Sequence, residues 1–551
     1  MRTLRFIALF ASLATVACAE FPPSSTIRLN TVGFLPDEPK VATVAAPQAG
    51  RFTITDATSG STVLTGALIG PRKDADTKET LWLADFSGIR QPGQYRLTAE
   101  GVEDVATFEV SASVFTDAFR TVTRAMYLWR CGTAVRGEHN GDVFEQQPCH
   151  LEDGWMDHAT GEHVQRDGVG GWHDAGDHNK YIVNAAVTAG SMLRAWEEFQ
   201  PAVRAIGLDI PESGGRIPDL LAEVKWETDW FFKMQADDGK VYHKLTTLHF
   251  GGMIMPDVET TPRYFTDWST AATAGFVATM AQMARAIAPF DAEYAARCLA
   301  AARKSYALLV SHPEQHMAEQ SKFSTGSYAT EDPDDRLWAA AELWETTGDE
   351  AVLADLQSRI RALGTRFDED FGWGAVKNLG LITYLRSERD GRDEALVKDV
   401  RRDLLAAADL MIGRSQHGGY GRPLGSIYYW GCHGGVAMQT MVLQNAFSIT
   451  GKPIYRATAL QAVDHLLGRN YFGRSMVTGV GGNPPMYPHC RRSAGDKVEA
   501  PWPGYLVGGP QKGARDWDDQ VERFQVNEVA INWNGALIYA LAGFLPAESA
   551  R

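Results

Sequence analysis

The stretch "GGWHDAGDHNKY", Gly170 to Tyr181, sets two carboxylates, Asp174 and Asp177, three residues apart among glycines, histidines and aromatic residues. On a helix the two would share a face and repel, at a cost of a few tenths of a kcal/mol when exposed and far more when buried. Three arrangements accommodate such a pair: a solvated turn, a metal site, or a device in which two acids together handle a proton. The helical pattern "NAAVTAGSMLRAWEEF" follows at once. Both acids are therefore expected in a turn at the positive end of a helix, where an ionised carboxylate is favoured and suits a base. A simple helix cap would look the same.

A third acid stands near the C-terminus in "WDDQVERFQVNEVAINWNGALIYALAGF", where Glu528 is expected to open an apolar helix. Beside Val526, Val529 and Ile531 it is either a helix N-terminal charge or a carboxyl raised in pKa by desolvation, able to donate a proton near neutral pH. Between the acids lies "GRNYFGRSMVTGVGGNPPMYPHCRRS", whose His489 and Arg491 offer several fixed donors to a hydroxylated ligand. No Lys-Ser/Thr follows its glycines, which excludes a phosphate loop.

The elements that must position these groups fall into two textures. From about 26 to 112 come short alternating runs such as "RFTITDA" and "GQYRLTAE" between Pro, Gly and Asp turns, the pattern of an immunoglobulin-like all-β sandwich. Beyond Ser113 apolar residues recur at three- and four-residue steps. Twelve helical segments are expected there, at about 113–131, 178–199, 218–235, 269–288, 292–312, 336–348, 350–364, 372–386, 393–415, 434–451, 453–468 and 527–544. Twelve helices make six hairpins, which can close into an all-α toroid; a solenoid is disfavoured by the lack of a fixed-period repeat. The domains are then a leader at 1–19, the sandwich at 20–112 and the toroid at 113–551.

A net charge of −15 over 551 residues excludes nucleic acid and anionic membranes as partners. The first residues, "MRTLRFIALFASLATVACAE", read as an export signal too short to span a bilayer, cleaved before Glu20 or lipidated at Cys18. A secreted or periplasmic location follows. Five cysteines remain, too few and too odd for a disulfide framework, and Cys298 lies on a helical pattern as a small buried hydrophobe.

Two spacings carry a resemblance. Ser475-x-Val477-Thr478-x-x-Gly481-x-Asn483-x4-Pro488-His489-x-Arg491 and Trp517-x-Asp519-x4-Phe524-x3-Glu528-x-Ala530-x3-Asn534 resemble the signatures of glycoside hydrolase family nine, inverting cellulases with an α/α toroid. Gly535 departs from the second, where the family has Ala, Ser or Thr. "TVGFLPDEPKVA" at 31–42 is similar to the entry of the N-terminal domain in the family's bacterial branch, and "MPDVETTPRYFTDWSTAATAGFVATMAQMAR" to the family's middle.

The resemblance implies that Asp177 is the general base, Asp174 a second holder of the attacking water, and Glu528 the general acid. It implies sugar contacts for His489 and Arg491, and a cleft wall of Tyr428, Tyr429 and Trp430. It also implies a structural zinc on Cys131, Cys149, His150 and His173, with His178 in reserve and a Cys131–Cys149 disulfide as the alternative. Calcium is implied too, with Asp332, Asp334 and Asp335 of "TEDPDDRLW" as candidate oxygens, unless these merely begin a helix. No organic cofactor is implied. The expected protein is an exported endo-β-1,4-glucanase; an exo-acting cello-oligosaccharide or glucosaminide hydrolase, or an idle carbohydrate binder, are the alternatives. With no separate binding module in view, soluble or amorphous glucans are favoured over crystalline ones.

Overall fold

The computed structural model describes residues 21–546; the expected leader, with Cys18, lies outside the described residues. The first module is two four-stranded antiparallel sheets. One orders its strands Ile27–Arg28, Val41–Ala45, Thr80–Asp85 and Ile69–Lys73; the other Thr62–Ala67, Arg51–Asp56, Gly93–Ala99 and Ala106–Val110. Alternation decides which side chains enter the core. Val44 lies opposite Trp82 and Ile54 opposite Leu97, all turned inward, and Phe34, Phe86 and Phe108 meet between the sheets.

Twelve helices of ten or more residues follow among the described residues, beside two short turns at Arg491–Gly495 and Phe524–Asn527. They alternate between two kinds. Thr270–Ile287 buries every residue except Arg285, whereas Glu394–His417 buries one stripe, Leu396, Val400, Leu404, Ala407, Ala408, Met411 and Ser415. Helices buried all round form the inner ring: Ile182–Arg204 packs on Thr270–Ile287, which packs on Pro333–Thr347, which packs on Lys377–Arg386. Cys432–Thr450 packs on Ile531–Ala542, which returns to Ile182–Arg204. Each inner helix carries an amphipathic one outside it, so the hairpins wind into the α/α toroid.

Gly535 has a packing reason. A Cβ there would lie 2.9 Å from the Thr188 carbonyl, so the first and last inner helices approach closely only because this residue has no side chain. Local chemistry also moves helix ends from their expected places. Gly372 and Ala375 pair in a turn, delaying the helix expected at 372 to Lys377. Pro201 leaves a kink at Phe199 inside Ile182–Arg204.

The sandwich is bound to the ring by polar and apolar contacts. Arg28 pairs with Glu79, which accepts from Tyr420, and Asn30 donates to the buried Asp464. Leu81 of the sandwich joins the core of the helical module.

Candidate active site

Three chain-distant segments weave into one floor at one end of the ring. The Asp174 carbonyl accepts from Ile531 N–H, Ala175 bridges Ala530, and the Gly176 carbonyl accepts from Arg491 N–H. Glu528 bridges His489 on its other flank, and its carbonyl accepts from Gly508. Glu528 therefore does not open a helix. It is extended (φ −68°, ψ 156°), and the helix begins three residues later at Ile531, because the backbone of 528–530 is engaged by neighbouring segments. Nor do the aspartates sit on a helix end: Lys180–Tyr181, a strand paired with Lys244–Thr246, separates them from Ile182.

Side chains supply the stabilisation expected from the helix. Asp174 accepts from Asn184 Nδ2 at 2.7 Å and from the Tyr328 hydroxyl at 2.7 Å, one on each oxygen. Asp177 accepts on Oδ2 from Asn179 (2.6 Å) and Tyr181 (3.0 Å), and its Oδ1 has no hydrogen-bond partner among the described residues. Burial, with the charge of Asp177 beside it, pushes the Asp174 carboxyl well above the usual range. Glu528 is pushed well above its range by desolvation and then by Asp177 and Asp174, against weaker opposition from Arg491 and a hydrogen bond with Trp430. A carboxyl so placed holds its proton, as a general acid must.

His489 donates through Nδ1 to the Val521 carbonyl at 2.6 Å, which leaves Nε2 as its second hydrogen-bonding atom. Arg491 spends much of its fork on the protein: Nη1 on the Gly176 carbonyl (2.8 Å) and Nε on that of Gly251 (3.2 Å). Its main structural effect is to clamp the aspartate loop. Trp430 is 44% exposed, and with Tyr429, Trp373 and Trp533 it lines a pocket of about 320 Å³ beside Glu528. Tyr428 differs from expectation. Its hydroxyl reaches Asp76 of the sandwich at 3.1 Å, because adjacent residues of a non-helical segment turn to opposite sides.

Sequence reasoning missed Tyr328 and Asn184, which belong to no recognisable spacing, and also Asn179 and Tyr181, which stand two and four residues after Asp177 in the opening stretch. It also left unassigned Asp519, whose carboxylate accepts from Met486 and Tyr487 N–H and so holds the loop carrying His489; its place in the Trp517 signature was the available signal. Gly176 was missed as well. A Cβ there would crowd the His489 carbonyl, lie 2.9 Å from His489 Cδ2 and 3.2 Å from Glu528 Oε1. Gly176→Ala is accordingly expected to part the aspartate loop from the acid and to lower turnover more than tenfold with little change in secondary structure. Kinetics with circular dichroism check this, and wild-type kcat would refute it.

Beneath the aspartates lies the only cluster of potential metal ligands from three or more Cys, His, Asp or Glu side chains found among the described residues. Cys131, Cys149, His150 and His173 bring their ligand atoms within 4.8 Å of one another. Cys131 Sγ is 3.7 Å from His150 Nδ1, and Cys149 Sγ 3.7 Å from His173 Nε2. A tetrahedral ion bound at about 2.0–2.3 Å needs ligand atoms about 3.3–3.8 Å apart, a spacing that these two sulfur–nitrogen pairs meet. Both thiols are free, so the alternative disulfide is not formed. His178 is engaged elsewhere, its Nδ1 2.8 Å from Glu259. Of the acidic triad, Asp332 pairs with Arg336 and Asp334 accepts from Val376 N–H, while Asp335 keeps a buried Oδ2 without a partner.

The chain is similar to known proteins along most of its length. The model described as "Glycosyl hydrolase family 9" matches residues 115–541, and "Cellulase N-terminal ig-like domain" matches 22–104. Endoglucanase D of Acetivibrio thermocellus is 49% identical over 530 residues, covering 96% of this chain and 81% of that protein. A metagenome-derived glycoside hydrolase family 9 endoglucanase superposes with a TM-score of 0.89 at 33% identity, covering 95% of this chain and 99% of its own. A Zn-binding triple mutant of the family 9 endoglucanase J30 does so at 0.86 and 30% identity, covering 93% and 100%. With a family match over residues 115–541 and a relative 49% identical across 96% of this chain, this chain belongs to glycosyl hydrolase family 9.

Proposed function

We propose that the protein is an endo-acting β-1,4-glucanase that cleaves cellulose-like or mixed-linkage glucans with inversion at the anomeric carbon. The observation that carries this reading is the unequal dressing of the two aspartates. Asp174 has a donor on each oxygen, whereas Asp177 keeps Oδ1 available. Asp177 then takes the proton of the attacking water through that oxygen, and Asp174 orients the same water. Glu528, on the adjoining segment, protonates the departing glycosidic oxygen. Inversion requires acid and base about 6.5–9.5 Å apart, so that water fits between base and sugar. Trp430 and its aromatic neighbours present flat faces to the pyranose rings, and His489 Nε2 meets a sugar hydroxyl.

Endo action is tested by following carboxymethylcellulose viscosity against reducing ends. An early collapse in viscosity with mixed product sizes is expected; a single short product from the first minutes, with viscosity maintained, would replace this reading with an exo-acting one. The carbohydrate reading also fits export by the leader at 1–19, and no described helix is long and apolar enough to cross a membrane.

The four-residue cluster is assigned to zinc, which when bound supplies structural cross-linking and no step of the reaction. His173 adjoins Asp174, and Cys131 N–H holds the Gly171 carbonyl, so the cluster anchors the base-bearing loop. Cys149→Ser is expected to cut bound zinc from about one per chain to well below half and to lower the melting temperature by several degrees. Metal analysis and calorimetry check both; unchanged values would remove the assignment. The buried, unpartnered Asp335 oxygen supports calcium beside Asp334 and Asp335, with Asp332 committed to Arg336. Added calcium should then raise the melting temperature of chelator-treated protein.

A further inference from the structure

A cavity of about 550 Å³ lies between the sandwich loop Lys73–Thr77 and the helical module, and none of Asp174, Asp177 or Glu528 lines it. The start of helix Cys432–Thr450 separates the two sites. Gly431, Gly434 and Gly435 face the pocket beside Trp430, while His433 faces the cavity. Its size is within the range of about 300–1,000 Å³ typical of small-molecule sites.

The floor is built of buried polar groups with spare capacity. Arg422 is 6% exposed, makes no ion pair among the described residues, and stacks on Tyr428 with its guanidinium carbon 4.5 Å from the ring centre. It donates through Nη1 to the Gly425 carbonyl, but its Nη2 is buried without an acceptor. His465, 7% exposed, has Nδ1 buried without a partner. His433 spends its Nδ1 hydrogen on the Val507 carbonyl at 3.0 Å, and burial lowers its pKa to about 3, so its Nε2 is an acceptor. At the rim stand acceptors, Asp74 and Asp76 from the sandwich and Asp409 from the ring; Tyr471 and Phe472 contribute rings to the wall.

This mixture selects by elimination. A cation would meet the unneutralised Arg422. A free anion would have to pass the acidic rim of a protein of net charge −15. A wholly apolar ligand would leave Arg422 and His465 unsatisfied, which is costly in a desolvated site. A neutral polyol both donates and accepts, and a pyranose adds a C–H face for the aromatic wall. We propose that this cavity is a second carbohydrate site, taking one or two pyranose rings of a short gluco-oligosaccharide between Asp76 of one module and Arg422 of the other. Among the described residues neither aspartate of the active site is hydrogen-bonded to a residue that lines it, so the proposal does not rest on the catalytic mechanism. A ligand gripped by both modules also stabilises their union by mass action.

The test titrates cellotriose into full-length Glu528→Gln protein, in which cleavage is slowed by about 10²–10⁴, by isothermal calorimetry, and soaks crystals with cellobiose. Two sites per chain are expected, with sugar density against Arg422. Adding Arg422→Met or the rim change Asp76→Asn should weaken one site at least tenfold and spare the other, and neither change in the wild-type background should alter kcat on an aryl cellobioside. Asp76→Asn keeps the test decisive if Arg422→Met fails to fold. A single site indifferent to both substitutions, with only water in the soaked cavity, would overturn the proposal. Glucan turnover by wild-type protein, measured alongside, reports separately on the catalytic reading.

Discussion

Glu528→Gln is expected to lower glucan turnover by about 10²–10⁴, the usual worth of a general acid, while raising the melting temperature at neutral pH. The second effect follows from the first. Desolvation and two neighbouring aspartates raise the folded pKa of Glu528 above its unfolded value near 4.3. A carboxyl raised on folding contributes stability that is fully present below the unfolded value and is lost as pH rises towards the folded one. Glutamine imitates the protonated form at every pH. The variant and the wild type should therefore melt together near pH 4 and diverge as pH climbs, with the variant higher. Aryl glycosides with a good leaving group need little protonation and should keep much of their rate. Equal loss on aryl glycoside and glucan, or a variant that melts lower at pH 7, would take the acid role away from Glu528.

Asp177→Ala is expected to abolish turnover of glucan and of activated substrates alike, because the attacking water is required whatever leaves. Azide should restore part of the activity, filling the vacated space and releasing an α-glycosyl azide from a β-linked substrate. The complementary measurement uses the wild type. Proton NMR at early times should show the α-anomer of the product before mutarotation mixes the two, as expected when water attacks opposite the leaving group. Initial β-anomer would mean a covalent intermediate, and with it the assignment of Asp177 as base would fail.

What could be read before the structure depended on how local the cause was. The helices are legible because a stripe such as Leu396, Val400 and Leu404 is written in the period of one element. The metal cluster is legible because few residue types hold such an ion, Cys149 and His150 are adjacent, and His173 adjoins Asp174. The start of the last helix was misplaced because the apolar run after Asn527 cannot reveal that Asp174, Val507 and His489 engage its first residues from elsewhere. Tyr328 was invisible for a related reason. It comes from a polar loop, takes φ 45° where a bulky residue is uncommon, and reaches the site only through its hydroxyl on Asp174. Tyr428 and Tyr429 looked equivalent as letters, yet one faces the sandwich and the other Asp370.

The seam between the modules bears on how such a protein can be inherited and re-engineered. Gly419 of the ring has no room for a side chain because Leu81 of the sandwich occupies that space, and its carbonyl accepts from Thr43. Asp464, pushed up to about 7 by burial, has Asn30 of the sandwich as its amide partner. The ring's surface is thus the negative impression of one particular neighbour. Exchanging the N-terminal module for a foreign one would bring in a surface with no counterpart to Leu81, Thr43 or Asn30. Recombination within this lineage should accordingly keep the two modules as a single unit of descent, and designers seeking new specificities should graft at the cleft loops and leave this joint untouched.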